Sequence, residues 1–292
     1  MVFQNNKSLV INRTEPSGDP YIFGRWHRDC FSLRGFELEA RTFIESFFQN
    51  FCGKKFIIVG GARTGTTLLT MLLDAVESIR CDGEVLHYKV FDPIGLIQRL
   101  ARKSSASAFG CKILSYQLYE VQRIAAPDKF LQELRDGGFK IIHLKRNTFV
   151  QSLSLSVARI RGTYISTVPA NSSEKFYVKP EEFIKLVKWN AALLEYENYI
   201  LKDIAHVALS YEGNLDLSEA HQATVDKLCE YIGVKSSGVL APIYKMSDGR
   251  IGGNIENFDE IVSAMRASRY AELLDTISLF DSDTELAIRR LG

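Results

Sequence analysis

The chain has 292 residues, 46% of them apolar, and its 36 Lys and Arg nearly balance its 35 Asp and Glu, leaving a formal net charge of +1. That apolar content supports a full globular core, while the interspersed, balanced charge excludes nucleic-acid binding through a broad basic face. Five scattered cysteines with no C-x-x-C pair argue against a disulfide framework or a zinc site and for a reducing compartment.

No run approaches the roughly 20 apolar residues of a membrane span. The N-terminus MVFQNNKSLVINRTEPSGDPY lacks the apolar core of a signal peptide, so a cytoplasmic protein is expected. No repeat, composition shift or linker divides the chain. A single domain over 1–292 is the expectation, with 1–53 an N-terminal extension packed on the core.

In chain order, a helix is predicted around 35–50 and a first strand at about 55–60. A glycine turn then opens a helix to about 79, with Leu68, Leu69, Leu72, Leu73 and Val76 on one face. A polar turn leads into GEVLHY, and AFGCKILS (108–115) reads as the second strand. A helical segment over 117–136 ends at Gly137-Gly138, a C-cap signal. FKIIHLKR (139–146) is the third strand, a continuous apolar run of the kind buried in parallel sheets. A helix over 148–161, a long loop over 163–179 and a helix over 180–201 follow; the last starts at Pro180 with Glu181 and Glu182 in its first turn. HVALSY (206–211) is the fourth strand and 218–232 another helix; 240–257 is irregular and glycine-rich, and the remainder helical. Strands alternating with helices predict an α/β fold, a P-loop-like parallel β-sheet flanked by helices on both faces. In such sheets ligands bind at the carboxyl ends of the strands, where each of the motifs below falls.

The most specific signal is FIIVGGARTGTTLLT (56–70). Aligned to G-x-x-x-x-G-K-[ST], it runs from Gly60 to Gly65, then has Thr66 in place of the lysine and Thr67 at the hydroxyl position. The backbone N–H groups opening the following helix still form an anion nest. Without the lysine the loop lacks the point charge that meets the β/γ-phosphates of a triphosphate; its cation is Arg63 instead. The cradle suits a phosphate on some other nucleotide.

These residues resemble the sulfotransferases that use 3′-phosphoadenosine-5′-phosphosulfate (PAPS). ARTGTT (62–67) is similar to that family's 5′-phosphosulfate loop. KIIHLKRNTFVQSLSLS places Arg146 at a strand end and Ser154 eight positions later, the family's spacing for holding the 3′-phosphate. GEVLH (83–87), SYEGNL (210–215) and KMSDGRIGGNIENFDEI (245–261) extend the likeness in the family's order. GEVLH and IENFDEI point to the bacterial carbohydrate-type branch, which includes nodulation-factor-like enzymes.

The resemblance implies PAPS as co-substrate, no metal, and a carbohydrate or other small-molecule acceptor; it leaves oligomeric state open. Gly61, Ala62, Arg63, Thr64, Gly65, Thr66 and Thr67 would hold the 5′ end of the donor, and Arg146 and Ser154 its 3′-phosphate. Tyr211 would lie near the nucleotide, and Lys245 and Arg250 in a loop that closes over it. The cytosolic branch carries its base histidine in a K-x-H pattern just after the 108–115 strand, but here the residues are Lys112-Ile113-Leu114. The carbohydrate-type branch uses a glutamate after the loop helix, a position that Glu84 fits. His87 is the rival base, Lys112 a candidate sulfate contact, and His143, inside a strand, reads as structural. The rival functions are a P-loop small-molecule kinase, which would need the absent lysine and a metal-holding aspartate, and an inert nucleotide-binding protein of the same fold.

Overall fold

The computed structural model describes residues 33–46, 53–164, 174–240 and 252–275. Five strands, β1 (Lys54–Gly60), β2 (Ile79–Glu84), β3 (Ala108–Leu114), β4 (Phe139–Lys145) and β5 (His206–Ser210), form one sheet in the order β2-β3-β1-β4-β5. Every neighbouring pair is parallel. The order reverses direction at β1, whose neighbours are β3 on one side and β4 on the other, so the crevice for a ligand opens at the carboxyl end of β1.

Alternate residues of β1 point to opposite faces. Ile57 and Val59 pack against α3 (Pro93–Arg102), α4 (Pro127–Asp136) and the far end of α6 (Pro180–Leu201). Phe56 and Ile58 pack against α2 (Thr66–Asp74) and α8 (Glu219–Ile232). Because both faces are covered, β1 reads as the unbroken apolar run FIIV instead of an alternating one. A third cluster joins α5 (Thr148–Arg161), the start of α6 and α9 (Phe258–Arg266) through Phe149, Phe183 and Met265. α1 (Leu33–Ser46) is tied to the start of α3 by Glu39, whose carboxylate accepts from the Phe91 and Asp92 N–H groups at 2.9 Å each.

The α/β class, the parallel sheet and the helices on both faces agree with the sequence. Four local expectations do not. The helix expected to reach 79 stops at Asp74, and residues 79–84 are a fifth strand where a polar turn was predicted. β2 is an edge strand with only Ile79 and Cys81 buried, so Arg80, Asp82 and Gly83 made it look like a loop. α3 was not predicted, although Asp92 caps it by accepting from the Gly95 N–H at 2.8 Å and Pro93 occupies its first turn. The 117–136 helix is two pieces. A π-turn at Gln117–Val121 is followed by Arg123 in the left-handed region at φ 55°, and Pro127 then starts α4 afresh. Finally, Tyr211 does not end β5 but begins the one-turn helix α7 (Tyr211–Asn214).

Candidate active site

The glycine loop leaves β1 and enters α2 with Gly65 at φ 94°, a left-handed conformation suited to glycine. A side-chain carbon there would also come within 2.5 Å of the Tyr211 ring. No side chain caps α2, which leaves its first N–H groups for an anion. The loop is held from inside: Thr64 Oγ1 donates to Gly61 O at 2.8 Å and Gln151 Nε2, on α5, to Ala62 O at 2.7 Å. Arg63 stands at φ 65°, which is uncommon for a residue with a side chain.

On the β4 flank, two arginines meet. Arg146 Nη1 donates to Arg63 O at 2.9 Å, although the two lie 83 positions apart. The Arg146 guanidinium stacks 4.0 Å from the centre of the Tyr211 ring, and its buried Nε has no hydrogen-bond partner. Arg63 Nε donates to Ser154 Oγ at 3.2 Å, and its Nη1 donates to the Tyr164 carbonyl. Burial, and then the charge of Arg146, push the Arg63 guanidinium down to about 10. Two cations that repel each other at the mouth of an N–H nest are an arrangement completed by an anion.

On the β2 flank the charges are mixed. Lys112, only 5% exposed, donates to Thr67 Oγ1 at 2.9 Å and pairs with Glu84 Oε1 at 3.1 Å. It therefore brings an ammonium to the loop from β3, where the sequence has no lysine at 66. Glu84, the last residue of β2, also accepts from Gln117 Nε2 at 2.9 Å and lies 3.6 Å from His87 Nδ1. Burial pushes its carboxyl up, but the hydrogen bonding of His87 and the charge and hydrogen bond of Lys112 outweigh that and hold it below the ordinary value of 4.5. Gln117 Oε1 in turn accepts from the Leu114 N–H at 3.0 Å, so the π-turn braces the ends of β2 and β3 together.

The structure thus gathers the 61–67 loop, Arg146, Ser154, Tyr211, Lys112, Glu84 and His87 at one edge of the sheet. Lys245 and Arg250 lie outside the described residues. Gln117 and Gln151 were not anticipated; a glutamine in a helical stretch gives no sign in sequence that its amide braces a loop. Glu120, on the π-turn, was missed too: burial pushes its carboxyl up to about 7 against a hydrogen bond from Trp189.

No family model matches the chain. It is similar to Nodulation protein H of Rhizobium tropici, with 26% identity over 205 residues, or 59% of this chain and 80% of that protein. The resemblance to the nodulation-factor-like branch is borne out. Two solved structures are also similar. One is a sulfotransferase from Alicyclobacillus acidocaldarius, with a TM-score of 0.44 and 15% identity, over 77% of this chain and 94% of that one. The other is mouse sulfotransferase SULT7A1 complexed with PAP, with a TM-score of 0.43 and 15% identity, over 76% and 88%. Among the described residues no helix is long and apolar enough to cross a membrane.

Proposed function

We propose that this chain transfers the sulfuryl group of PAPS to a hydroxyl of a carbohydrate or glycosylated small-metabolite acceptor. The observation that carries the reading is the convergence of Arg63 and Arg146, from motifs 83 positions apart, on the glycine loop that opens α2. The relative named Nodulation protein H supports the branch.

In this reading the N–H groups of the loop and of the start of α2 receive the 5′-phosphate. Arg63 faces the oxygen bridging phosphorus and sulfur, where negative charge grows as the sulfuryl group departs; a contact that strengthens only then lowers the barrier. Arg146 and Ser154 hold the 3′-phosphate, and the Tyr211 ring keeps the Arg146 guanidinium in place. Lys112 meets the sulfuryl oxygens from the opposite flank.

Glu84 is the base. Its carboxyl is held below the ordinary glutamate value and so is ionised at neutral pH. It takes the acceptor proton as the new S–O bond forms and the bond from sulfur to the bridging oxygen breaks. The products are a sulfate ester and adenosine 3′,5′-bisphosphate. His87, 3.6 Å from Glu84, orients the carboxylate instead of replacing it.

The test is turnover. Incubation with sulfur-labelled PAPS and a panel of sugars, phenols and lipids should move label onto a sugar-bearing acceptor with stoichiometric release of the bisphosphate. Binding of ATP that depends on magnesium, with no release of bisphosphate from PAPS, would replace this reading with a kinase.

A further inference from the structure

A second ionisable cluster lies beneath the loop, and the transfer chemistry does not use it. His143 Nε2, in β4, meets Glu197 Oε2, in α6, at 2.9 Å, and Ser115 Oγ, just past β3, donates to Glu197 Oε1 at 2.5 Å. The three residues are 1%, 2% and 0% exposed. A side-chain carbon at Gly61 would stand 3.5 Å from Glu197 Oε1, so this carboxylate sits directly under the first turn of the loop. His143 Nδ1 is buried without a hydrogen-bond partner.

Glu197 anchors Ser115 and, through it, the end of β3 from which Lys112 and Gln117 reach the site. Its position has a cost. An ionised carboxylate beside a neutral imidazole would leave a bare negative charge in the interior, immediately behind a loop built to receive an anion. A protonated His143 imidazole, 2.9 Å from the carboxylate, cancels that charge. The other groups facing the pair do not cancel it. The His206 ring lies 5.8 Å from that of His143 and directs Nδ1 to Ile204 O at 2.7 Å. Gln151 gives its amide to Ala62 O. The Tyr196 phenol is kept from ionising by burial and by Glu197.

We infer that His143 is the group that neutralises Glu197 beneath the loop, and that the pair is a positioning element for the 5′ end of the donor. Neither side chain touches the reacting atoms. The inference rests on the reading of the loop as the donor's anion site.

The test is a double-mutant cycle of His143→Gln and Glu197→Gln, with binding of adenosine 3′,5′-bisphosphate followed by calorimetry. His143→Gln keeps an N–H donor for Glu197 but cannot carry a proton. With Glu197 present it should weaken binding by roughly tenfold or more. In the Glu197→Gln background the same substitution should cost little. Equal losses in both backgrounds would mean that His143 only packs, and the inference falls. If the wild type ignores the bisphosphate, the cycle is run with inorganic pyrophosphate. Coupling there keeps the inference while the donor reading fails, and its absence removes both. If the single His143 variant does not fold, the double variant decides: folding and tight binding restored by Glu197→Gln support neutralisation, and a second unfolded protein overturns it.

Discussion

The two flanks of the glycine loop are built on opposite electrostatic principles. On the β4 side Arg63 and Arg146 crowd together, and the burden falls on Arg63, whose guanidinium is pushed down to about 10. On the β2 side Lys112 and Glu84 neutralise each other at 3.1 Å, with Gln117 and His87 completing the shell. The first flank is unfavourable alone and improves when a polyanion arrives. The second is already balanced, so it gains little from an anion, and in the proposed reading it is the flank that moves a proton. The comparison teaches that affinity and turnover should be separable by mutation.

The sharpest way to break that comparison is Glu84→Gln, which keeps shape and loses basicity. Turnover should fall by about 10²–10⁴ while bisphosphate affinity holds. Because the carboxyl is held below 4.5, the acid limb of the wild-type rate profile should lie below that value, not in the neutral range. His87→Asn should cost far less than Glu84→Gln; the reverse order in steady-state kinetics would make His87 the base.

Arg63→Ala comes next, with about 10²–10³ lost from turnover and a smaller loss of bisphosphate affinity. Unchanged turnover with collapsed affinity would make Arg63 an anchor for the bound donor only. Arg146→Ala should do the opposite. Affinity for the 3′,5′-bisphosphate should drop by roughly one to two decades, toward that for AMP, since a charge-assisted contact is worth about 1.5–3 kcal/mol. Calorimetry with equal wild-type affinities for AMP and the bisphosphate would remove the 3′-phosphate assignment.

The smallest effect concerns Glu120, whose buried carboxyl is raised to about 7. A raised folded value means the native state holds the proton longer than the unfolded chain. Its contribution to stability is therefore complete below the unfolded value, near 4.5, and is lost as pH rises to about 7. Thermal melts across that window should show Glu120→Gln losing less stability than the wild type. Parallel melting curves would mean that Glu120 titrates normally.

The sequence made the phosphate-loop flank legible because its constraints are short-range: Gly65 must be left-handed, and Arg146 must follow a buried strand. Arg146 and Ser154, eight positions apart at the end of β4 and in α5, both meet Arg63 in the structure. The other flank was read less well. β2 is an edge strand with polar alternate residues, so Glu84 was expected in a turn, not at a strand end. The braces were invisible for a different reason. Gln117, Gln151 and Glu197 matter through partners 33, 89 and 54 positions away, and nothing local distinguishes such a side chain from a solvated one. His143, expected to be structural, is buried as expected, but its partner on α6 carries no signature in the sequence.

The strand order also sets a length. Glu84 ends β2 and Arg146 directly follows β4, with β3 and β1 between them. Three strand spacings separate the two rims, roughly 14 Å. The sheet edge is in effect a ruler, with the glycine loop partway along it. A free sulfate or phosphate ion is too short to reach both marks. In the proposed reading, an extended donor with its reactive group at one end and a second charge at the other reads the whole scale, and the acceptor hydroxyl comes in beyond the β2 end.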